Sequence, residues 1–269
     1  LEKAFYLAQT GRKGPVLLDI AYDILRAEVD ADKLKPFAIP PEPEYDCIDY
    51  GLILNKLKNA KRPVMLLGGG AASPQCRQFI AQLTQKINIP AVATLCGLDV
   101  LPHDNKCFSG FIGHYGNRYA NLALKNCDFM LVLGSRLDER QLGGFRTTFS
   151  GDAFIVRVDV DKPELKRKLK ENLSYYCPLE KFLEGFLKQP LPQTDFSKWL
   201  EVIARWKGRY PSLDEDKTQV SALNFLDCIS AYLPPDALIC ADVGQNQMLT
   251  AQAIKLDKNR RLFNSAGYG

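Results

Sequence analysis

The stretch FMLVLGSRLDER, residues 129–140, carries the strongest indication of the fold. Its first part, Phe129 to Leu133, is apolar without polar alternation, which predicts a strand buried on both faces, as in a parallel sheet. Gly134 ends this strand, and a loop rich in arginine follows it. In open α/β sheets, ligands bind where the loops leave the carboxyl ends of the strands. The stretch therefore predicts a parallel α/β domain with a candidate ligand loop.

The same pattern extends along the chain in both directions. Further apolar strands are predicted at 64–67, 91–95 and 154–160. Between and after them, apolar residues recur at helical spacing from Cys76 to Ile87, from Tyr119 to Lys125 and from Leu179 to Leu187. Buried strands that alternate with amphipathic helices predict an α/β fold, a Rossmann-like doubly wound parallel sheet covered on both faces.

Two proline-rich stretches suggest how the chain is divided. Four prolines between Glu28 and Tyr45 predict an extended linker, and Gln189 to Pro192 marks a second boundary. We predict the end of one α/β domain at 1–27, with a buried strand at Val16 to Ile20, and a linker at 28–45. A complete Rossmann-like domain is predicted at 46–188, a linking helix at 189–218, and the start of a further α/β domain at 219–269.

The composition excludes several classes of protein. Of the 269 residues, 46% are hydrophobic and 25% charged, which is typical of a soluble globular protein. The net charge of +4 is spread along the chain without a basic stripe. No apolar run approaches the ~20 residues that span a bilayer, and the first residues lack a signal-peptide pattern. We therefore expect a cytoplasmic protein that binds neither nucleic acid nor membrane.

The cysteines and histidines argue against two further classes. Eight cysteines occur without a C-x-x-C pair, and His103 and His114, the two histidines, lie outside any metal-ligand spacing. An even number of cysteines is compatible with four disulfides, but several lie in apolar strand-like or helix-like runs, so we expect reduced, buried thiols. Neither a zinc cluster nor a serine-histidine-aspartate triad is expected.

Two glycine motifs follow predicted strands. Gly68-Gly69-Gly70 would let backbone N–H groups approach a phosphate at a helix N-terminus, although Ser73 stands where the dinucleotide fingerprint has its last glycine. Glycines also occur in such places only to pack a helix on a strand. Gly113-His114-Tyr115-Gly116 permits a tight turn with outward-facing N–H groups, with a plain surface turn as the alternative.

The loop after residue 133 is the most informative motif. Arginine is suited to forked contacts with phosphate, although a salt-bridge network within the domain is an alternative. Asp159, at the end of its strand, can accept ribose hydroxyls, whereas Asp161 is expected to cap the helix that Pro163 opens. Together these elements predict one crevice for a nucleotide. The candidate residues of the loop are Gly134, Ser135, Arg136, Asp138 and Arg140.

In their order along the chain, these motifs resemble the thiamine-diphosphate enzymes of the acetolactate synthase type. Gly11 to Ile20 resembles the end of their pyrimidine-binding domain. Three segments, Gly113 to Asn121, Gly134 to Arg140 and Val158 to Asp161, resemble their central domain. Asp242 to Met248, with Ala251-Gln252, resembles the entrance to their diphosphate-binding domain, and Ser265 to Gly269 resembles the start of a Gly-rich segment of that domain.

The resemblance implies decarboxylation of a 2-keto acid such as pyruvate and transfer of the two-carbon unit, as in branched-chain amino acid biosynthesis. It implies thiamine diphosphate and Mg²⁺ as cofactors and a homo-oligomer for the complete protein. It places the loop Gly244, Gln245, Asn246 and Gln247 at the cofactor diphosphate, and Gly267, Tyr268 and Gly269 near the aminopyrimidine. The activating glutamate and the Gly-Asp-Gly metal motif would lie outside these residues. We therefore expect an inactive fragment, with neither catalytic nor metal-binding residues of its own.

The resemblance also implies FAD in the central domain, at the glycine motifs, the arginine loop and Asp159. Here the sequence departs from the family. The family's Gly-Met-His-Gly is replaced by Gly113-His114-Tyr115-Gly116, and its Gly-Asp before the last central helix by Tyr176-Cys177. FAD, another adenine nucleotide and no ligand at all are therefore three alternatives for this site.

Two alternatives to an acetolactate-synthase-like carboligase remain at this point. One is a related thiamine-diphosphate decarboxylase or lyase of another 2-keto acid, which these residues do not distinguish from the carboligase. The other is a non-catalytic nucleotide-binding module, which would leave the matches at Gly11 to Ile20 and Gly244 to Gln247 unexplained.

Overall fold

The computed structural model describes residues 1–143, 149–167, 171–213, 220–257 and 259–266. The chain forms two compact units, Leu1–Asp46 and Cys47–Gly269. Within the described ranges, every helix is too short or too polar to cross a membrane. The cysteines form no disulfide; Cys76, Cys107, Cys127 and Cys177 are buried and the other four are exposed.

The first unit contains two short helices, α1 (Glu2–Gln9) and α2 (Tyr22–Arg26). The carboxylate of Glu2 accepts the backbone N–H of Phe37 at 2.6 Å, and the rings of Tyr6 and Phe37 pack with their centroids 5.4 Å apart. The prediction of a buried strand at Val16 to Ile20 is wrong, since these residues have no regular structure and Leu17 is 91% exposed. A strand needs a neighbour for its backbone hydrogen bonds, and the described residues of this unit form none.

The second unit is built on a parallel sheet of six strands. In chain order these are β1 (Pro63–Leu67), β2 (Ala91–Ala93), β3 (Phe108–Phe111), β4 (Phe129–Leu133), β5 (Phe154–Asp159) and β6 (Leu173–Tyr176). Their order in the sheet is β3-β2-β1-β4-β5-β6, and every pair is parallel. This order is that of the doubly wound dinucleotide-binding fold, in which strand addition reverses between β1 and β4. The prediction of a Rossmann-like sheet is confirmed.

Helices cover both faces of this sheet, because the side chains of each strand alternate between the faces. Met65 and Leu67 of β1 lie in the core on one face, and Val64 and Leu66 lie in the core on the other. The helices that follow one another here are α3 (Tyr50–Asn59), α4 (Pro74–Ile87), α5 (Arg118–Asn126), α6 (Glu139–Leu142), α7 (Lys162–Leu165), α8 (Leu179–Leu187) and α9 (Ser197–Arg209). The apolar residues of α4 and α8 join the first core, and those of α5 and α9 join the second.

Local capping explains where several helices begin. The hydroxyl of Ser73 accepts the N–H of Cys76 at the start of α4, with Pro74 in the first turn. Asp161 accepts the N–H of Glu164 at 3.3 Å at the start of α7, which confirms the predicted helix cap.

The last part of the unit adds α10 (Ala222–Ser230), β7 (Leu238–Ala241), α11 (Gln245–Ala253) and β8 (Arg261–Asn264). β7 and β8 form a separate two-stranded parallel sheet. This segment packs on the six-stranded domain through a third apolar core, in which Leu98 and Phe111 meet Ile254, Leu256 and Leu262. The prediction of a loop at Gly244 to Gln247 is wrong beyond its first residue, since α11 begins at Gln245, and the predicted start of this domain at residue 219 lies outside the described residues.

Candidate functional site

The loops after β1 and β4 touch through their main chains where the strand order reverses. Gly68 donates its N–H to the carbonyl of Leu133 at 2.9 Å, and Gly70 donates to the carbonyl of Gly134 at 3.0 Å. A Cβ on Gly68 would lie 2.2 Å from the carbonyl oxygen of Gly134, whose φ of +61° is in the left-handed region. Only glycines permit this approach. Close packing therefore explains Gly68, Gly70 and Gly134 without a ligand.

The loop after β3 is tied to the loop after β4. Gly113 has a φ of +112°, donates its N–H to Oδ1 of Asn121 at 3.0 Å, and accepts from Nδ2 of Asn121 at 2.9 Å. The N–H of His114 donates to the carbonyl of Arg140 at 2.9 Å. The side chains of His114 and Tyr115 are exposed, with their rings in an edge-on contact at 4.8 Å. This motif thus holds two ligand loops in a fixed relation.

Side-chain hydrogen bonds shape the arginine loop itself. The hydroxyl of Ser135 donates to Oε1 of Gln141 at 3.0 Å, and Asp138 caps α6 by accepting the N–H of Gln141 at 3.2 Å. Arg136 forms an ion pair with Asp138 at 3.4 Å. Leu137, between them, has a φ of +54° and is buried. The alternative of a salt bridge within the domain therefore applies to Arg136, one of the two arginines of this loop.

Two cavities adjoin these loops. The smaller, of about 540 Å³, is lined by Arg136, Arg140 and Arg167, together with Asp138 and Glu139. The larger, of about 1160 Å³, shares the segments 113–115 and 139–141 with the first and extends to the beginning of α11. The central domain and the C-terminal segment thus line one continuous region.

The beginning of α11 has the features of an anion site. Gly244, with a φ of +136°, precedes the helix and offers no side chain to cap it. Gln247 is only 1% exposed and its Oε1 has no hydrogen-bond partner among the described residues, although its Nε2 lies 3.5 Å from the carbonyl of Ala266. Further along, Nε2 of Gln252 donates to the carbonyl of Tyr115 at 2.5 Å. Because Gly244 has no capping side chain, the first N–H groups and the helix dipole favour a negative charge at this end of α11, although the N–H of Gln247 already donates to Oδ1 of Asn246 at 2.7 Å.

Not all the predicted residues meet at the cavities. The smaller or larger cavity is lined by Gly113, His114, Arg136, Asp138, Arg140, Gly244, Gln245 and Gln247. Neither is lined by Gly68, Gly69, Gly70, Gly134, Ser135, Asn246 or Asp159. The predictions for Gly267, Tyr268 and Gly269 fall outside the described residues.

Asp159 has an acceptor role within its own loop. Its Oδ1 accepts the N–H of Asp161 at 3.0 Å. Burial raises the pKa of this carboxyl group, and the hydrogen bond from Asp161 works in the opposite direction. Across the described residues, no three histidine, cysteine or acidic side chains come together as metal ligands.

The sequence patterns did not indicate a role for one residue of this region, Arg157. Arg157 lies in the interior strand β5 and is fully buried, with its guanidinium beneath the arginine loop. Its Nη2 donates to the carbonyl of Arg136 at 3.1 Å. The available signal was a single charged residue within the otherwise apolar run 154–158.

Comparison with known proteins identifies the family. Residues 52–186, half of the chain and most of the six-stranded domain, match the family model described as thiamine pyrophosphate enzyme, central domain. The chain is 32% identical over 286 residues to the acetolactate synthase large subunit of Corynebacterium glutamicum, which covers 100% of this chain and 44% of that protein. It is 31% identical over 271 residues to that of Lactococcus lactis, with 99% and 47% covered.

A third relative is the large subunit of acetolactate synthase isozyme 1 of Escherichia coli, 31% identical over 277 residues, with 100% of this chain and 48% of that protein covered. The chain thus spans about half the length of the curated relatives it matches. With its central domain matched by the family model and almost its whole length aligned with these subunits, the chain belongs to the thiamine pyrophosphate enzymes of the acetolactate synthase type.

Proposed function

We propose that the chain is part of a thiamine-diphosphate-dependent carboligase that decarboxylates a 2-keto acid and transfers the two-carbon unit to an acceptor. The observation that supports this most directly is the beginning of α11, where a helix without a side-chain cap opens on a cavity of about 1160 Å³. The three relatives compared above are 31–32% identical to this chain and are named acetolactate synthases, which supports the proposed reaction class.

The residues at this helix end fit the diphosphate of the cofactor. The N–H groups of Gln245 and Asn246 lie in the first turn, where a diphosphate is stabilised by the helix dipole. Gly244 leaves space for the ligand because it has no side chain. The unpartnered Oε1 of Gln247 lies at the wall of the same cavity and, as an acceptor, suits a donor group of the cofactor rather than its diphosphate. When bound, thiamine diphosphate supplies the carbanion chemistry that decarboxylation requires.

In this proposal the residues of the chain bind the cofactor and orient it. The first turn of α11 holds the anionic end of the cofactor, and the hydrogen bond from Gln252 to the Tyr115 carbonyl keeps the helix against the central domain. The apolar core of Leu98, Phe111 and Ile254 supports the helix from below and excludes water there. Proton transfers and Mg²⁺ binding are assigned to no residue of this chain.

A second ligand is favoured by the smaller cavity. We propose that it binds a phosphate-bearing nucleotide, with FAD, which the family resemblance implies, and another adenine nucleotide as the two candidates. Three guanidinium groups, those of Arg136, Arg140 and Arg167, surround about 540 Å³ of space with two carboxylates. Arginine forms forked, charge-assisted hydrogen bonds with phosphate. Gly68 and Gly70 play no part in this proposal, because their N–H groups already donate to main-chain carbonyls.

The decisive experiment uses the protein expressed from its complete gene. With pyruvate, thiamine diphosphate and Mg²⁺, we expect acetolactate as the main product; acetaldehyde would identify a decarboxylase instead. Gln247→Met, which has a similar volume and no amide acceptor, should raise the Kd for thiamine diphosphate about tenfold. Gln85→Met, at an exposed position of α4, is the matched control and should leave this Kd unchanged.

The nucleotide proposal has a separate measurement. If FAD is bound, the purified protein should be yellow, or added FAD should lose fluorescence as it binds. Arg136→Met, at a residue that lines the smaller cavity and not the larger one, should abolish this binding while leaving the Kd for thiamine diphosphate within about twofold. A colourless protein that titrates neither FAD nor ADP would contradict the proposal for the smaller cavity and leave the first one standing.

A further inference from the structure

A fully buried arginine on an interior strand is unusual, because charge is costly to remove from water. Arg157 shares its face of the sheet with Ile155 and an otherwise apolar core. Burial lowers the pKa of its guanidinium, and the neighbouring carboxylate of Glu171 partly offsets this effect. That ion pair is long, 3.6 Å from Nη1 to Oε1.

The pairing around Arg157 is incomplete. Its Nε and Oε2 of Glu171 are buried without hydrogen-bond partners in the described part of the chain. A buried pair with unsatisfied atoms contributes little to stability, and apolar residues of similar size commonly replace such pairs without loss. Stability therefore does not explain why an arginine is present at this position.

The two good hydrogen bonds of Arg157 both end on main-chain carbonyls. Nη2 donates to Arg136 and Nη1 donates to Glu164, each at 3.1 Å. Arg136 is in the loop after β4, and Glu164 is in α7, after β5. One planar guanidinium thus bridges the two segments that leave adjacent strands at the same edge of the sheet.

Each bridged segment presents an arginine to the smaller cavity. Arg136 lines it directly. Arg167 also lines it and is held by the carboxylate of Glu164 at 2.7 Å. Fixing the main chain at Arg136 and Glu164 therefore fixes the separation of two of the three cavity arginines.

We infer that Arg157 is a positioning residue for the smaller cavity, which sets the distance between Arg136 and Arg167 and so the affinity for a phosphate-bearing ligand that it does not touch. The inference rests on the proposed nucleotide site and adds to it the group that organises that site. Phosphate recognition needs several donors at fixed separations, and a rigid fork beneath the loops provides them before the ligand arrives.

The test compares three variants of the complete protein. Arg157→Met combined with Glu171→Gln removes the bridge without leaving a buried unpaired carboxylate. Glu171→Gln alone keeps both bonds to the carbonyls. Arg157→Lys keeps the charge near Glu171, but its single ammonium group cannot reach two carbonyls in a fork. Two quantities are measured: hydrogen exchange of the backbone at 134–142 and 162–167, and the Kd values for FAD and ADP.

We expect the double variant to exchange faster in both segments and to bind FAD and ADP about tenfold more weakly or worse. Glu171→Gln should match the wild type in both Kd values, because the two bonds to the carbonyls remain, and this separates positioning from a merely structural pair. Arg157→Lys should exchange faster in at least one segment, and it decides the matter if the double variant does not fold. Wild-type exchange in both segments of a folded Arg157 variant would overturn the inference.

The exchange measurement also separates this inference from the proposed function. If the wild type binds neither FAD nor ADP, the nucleotide proposal fails. Faster exchange at 134–142 and 162–167 would then still support the role of Arg157 in holding the two segments, and unchanged exchange would refute it.

Discussion

Nδ1 of His103 accepts the backbone N–H of Leu256 at 3.3 Å, and the backbone N–H of His103 donates to the carbonyl of Leu256 at 3.2 Å. Nε2 of the same ring lies 3.0 Å from the carbonyl of Leu98, so the neutral ring donates at Nε2 and accepts at Nδ1. The ring also stacks on Phe108, with the centroids 4.0 Å apart. One histidine therefore joins the loop after β2 to the chain that follows α11.

This contact predicts acid sensitivity. Burial lowers the pKa of His103 from 6.5 to about 4, and a proton on Nδ1 would remove the acceptor for Leu256. Because the unfolded chain takes up the proton more readily, the free energy of unfolding should fall as the pH drops from about 6.5 to about 4, by up to about 3 kcal/mol. Denaturant unfolding followed by tryptophan fluorescence measures this.

The two histidines provide the control for that measurement. His103→Asn keeps an acceptor for Leu256 but does not titrate, so its stability should depend less on pH over this range. His114→Asn, at an exposed position, should keep the wild-type slope. An unchanged slope in His103→Asn would show that the acid sensitivity arises elsewhere.

A second contact between the same parts of the chain involves charge. Asp99 is 4% exposed, and its Oδ2 accepts from Nε of Arg261 at 2.5 Å and from the N–H of Leu262 at 3.3 Å. Asp99→Asn should lower the free energy of unfolding by about 3 kcal/mol, since it leaves a partly buried arginine unpaired. Glu184→Gln, which breaks an exposed pair with Lys188, should cause no measurable change. Equal losses in the two variants would contradict this assignment.

The contact of Gly68 with Gly134 predicts a severe effect of a single methyl group. Gly68→Ala would place Cβ 2.2 Å from a carbonyl oxygen that cannot move without shifting β4. We expect a loss of about 3 kcal/mol or more, or failure to fold. Gly208→Ala in α9 is the matched change, because nothing lies within 4 Å of the added Cβ. It should raise the thermal midpoint, as alanine favours helix by up to about 1 kcal/mol.

The cysteines predict a stepwise thiol titration. Burial raises the pKa of Cys76 and Cys107 to about 11 and that of Cys127 to about 12, so these thiols should be inert at mildly alkaline pH. With a disulfide reagent, we expect Cys47, Cys228 and Cys240 to react quickly in the native protein, Cys96 to react more slowly because burial raises the pKa of its thiol, and all eight to react in denaturant. Cys240→Ser should remove one fast thiol, whereas Cys127→Ser should leave the fast phase unchanged.

The strands that the sequence predicted are interior ones. β1, β2, β4 and β5 have neighbours on both sides, and their apolar residues run without interruption except at Arg157 in β5. β3 and β6 are the two edges of the sheet; they contain Ser109, Gly110 and Ser174, so they lack the continuous apolar signal. The prediction of a strand at Val16 to Ile20 is the reverse error. The run is apolar, but an apolar run forms a strand only where a partner strand exists.

The site was predictable to the extent that it follows from the direction of the strands. Arg136, Arg140 and Gly113 meet because loops at the carboxyl ends of parallel strands share one edge. The role of Gly68 could not be decided from the sequence, since close packing and phosphate binding both require the absence of a Cβ. Arg157 was missed because its bonds to the carbonyls of Arg136 and Glu164 exist only once the sheet is assembled.

The main-chain contact of Gly68 and Gly70 with Gly134 has a consequence for how the sequence of such a domain can diversify. The two loops are joined through main-chain N–H and carbonyl groups, which nearly every amino acid has. The surrounding side chains can therefore be exchanged without displacing the main chain of these loops. The glycines at this contact must be kept. A chain about 30% identical to its relatives can therefore retain the same scaffold while the residues around the cavities change the molecule it accepts. Redesign of ligand preference should vary Arg136, Arg140 and their neighbours and leave this main-chain joint untouched.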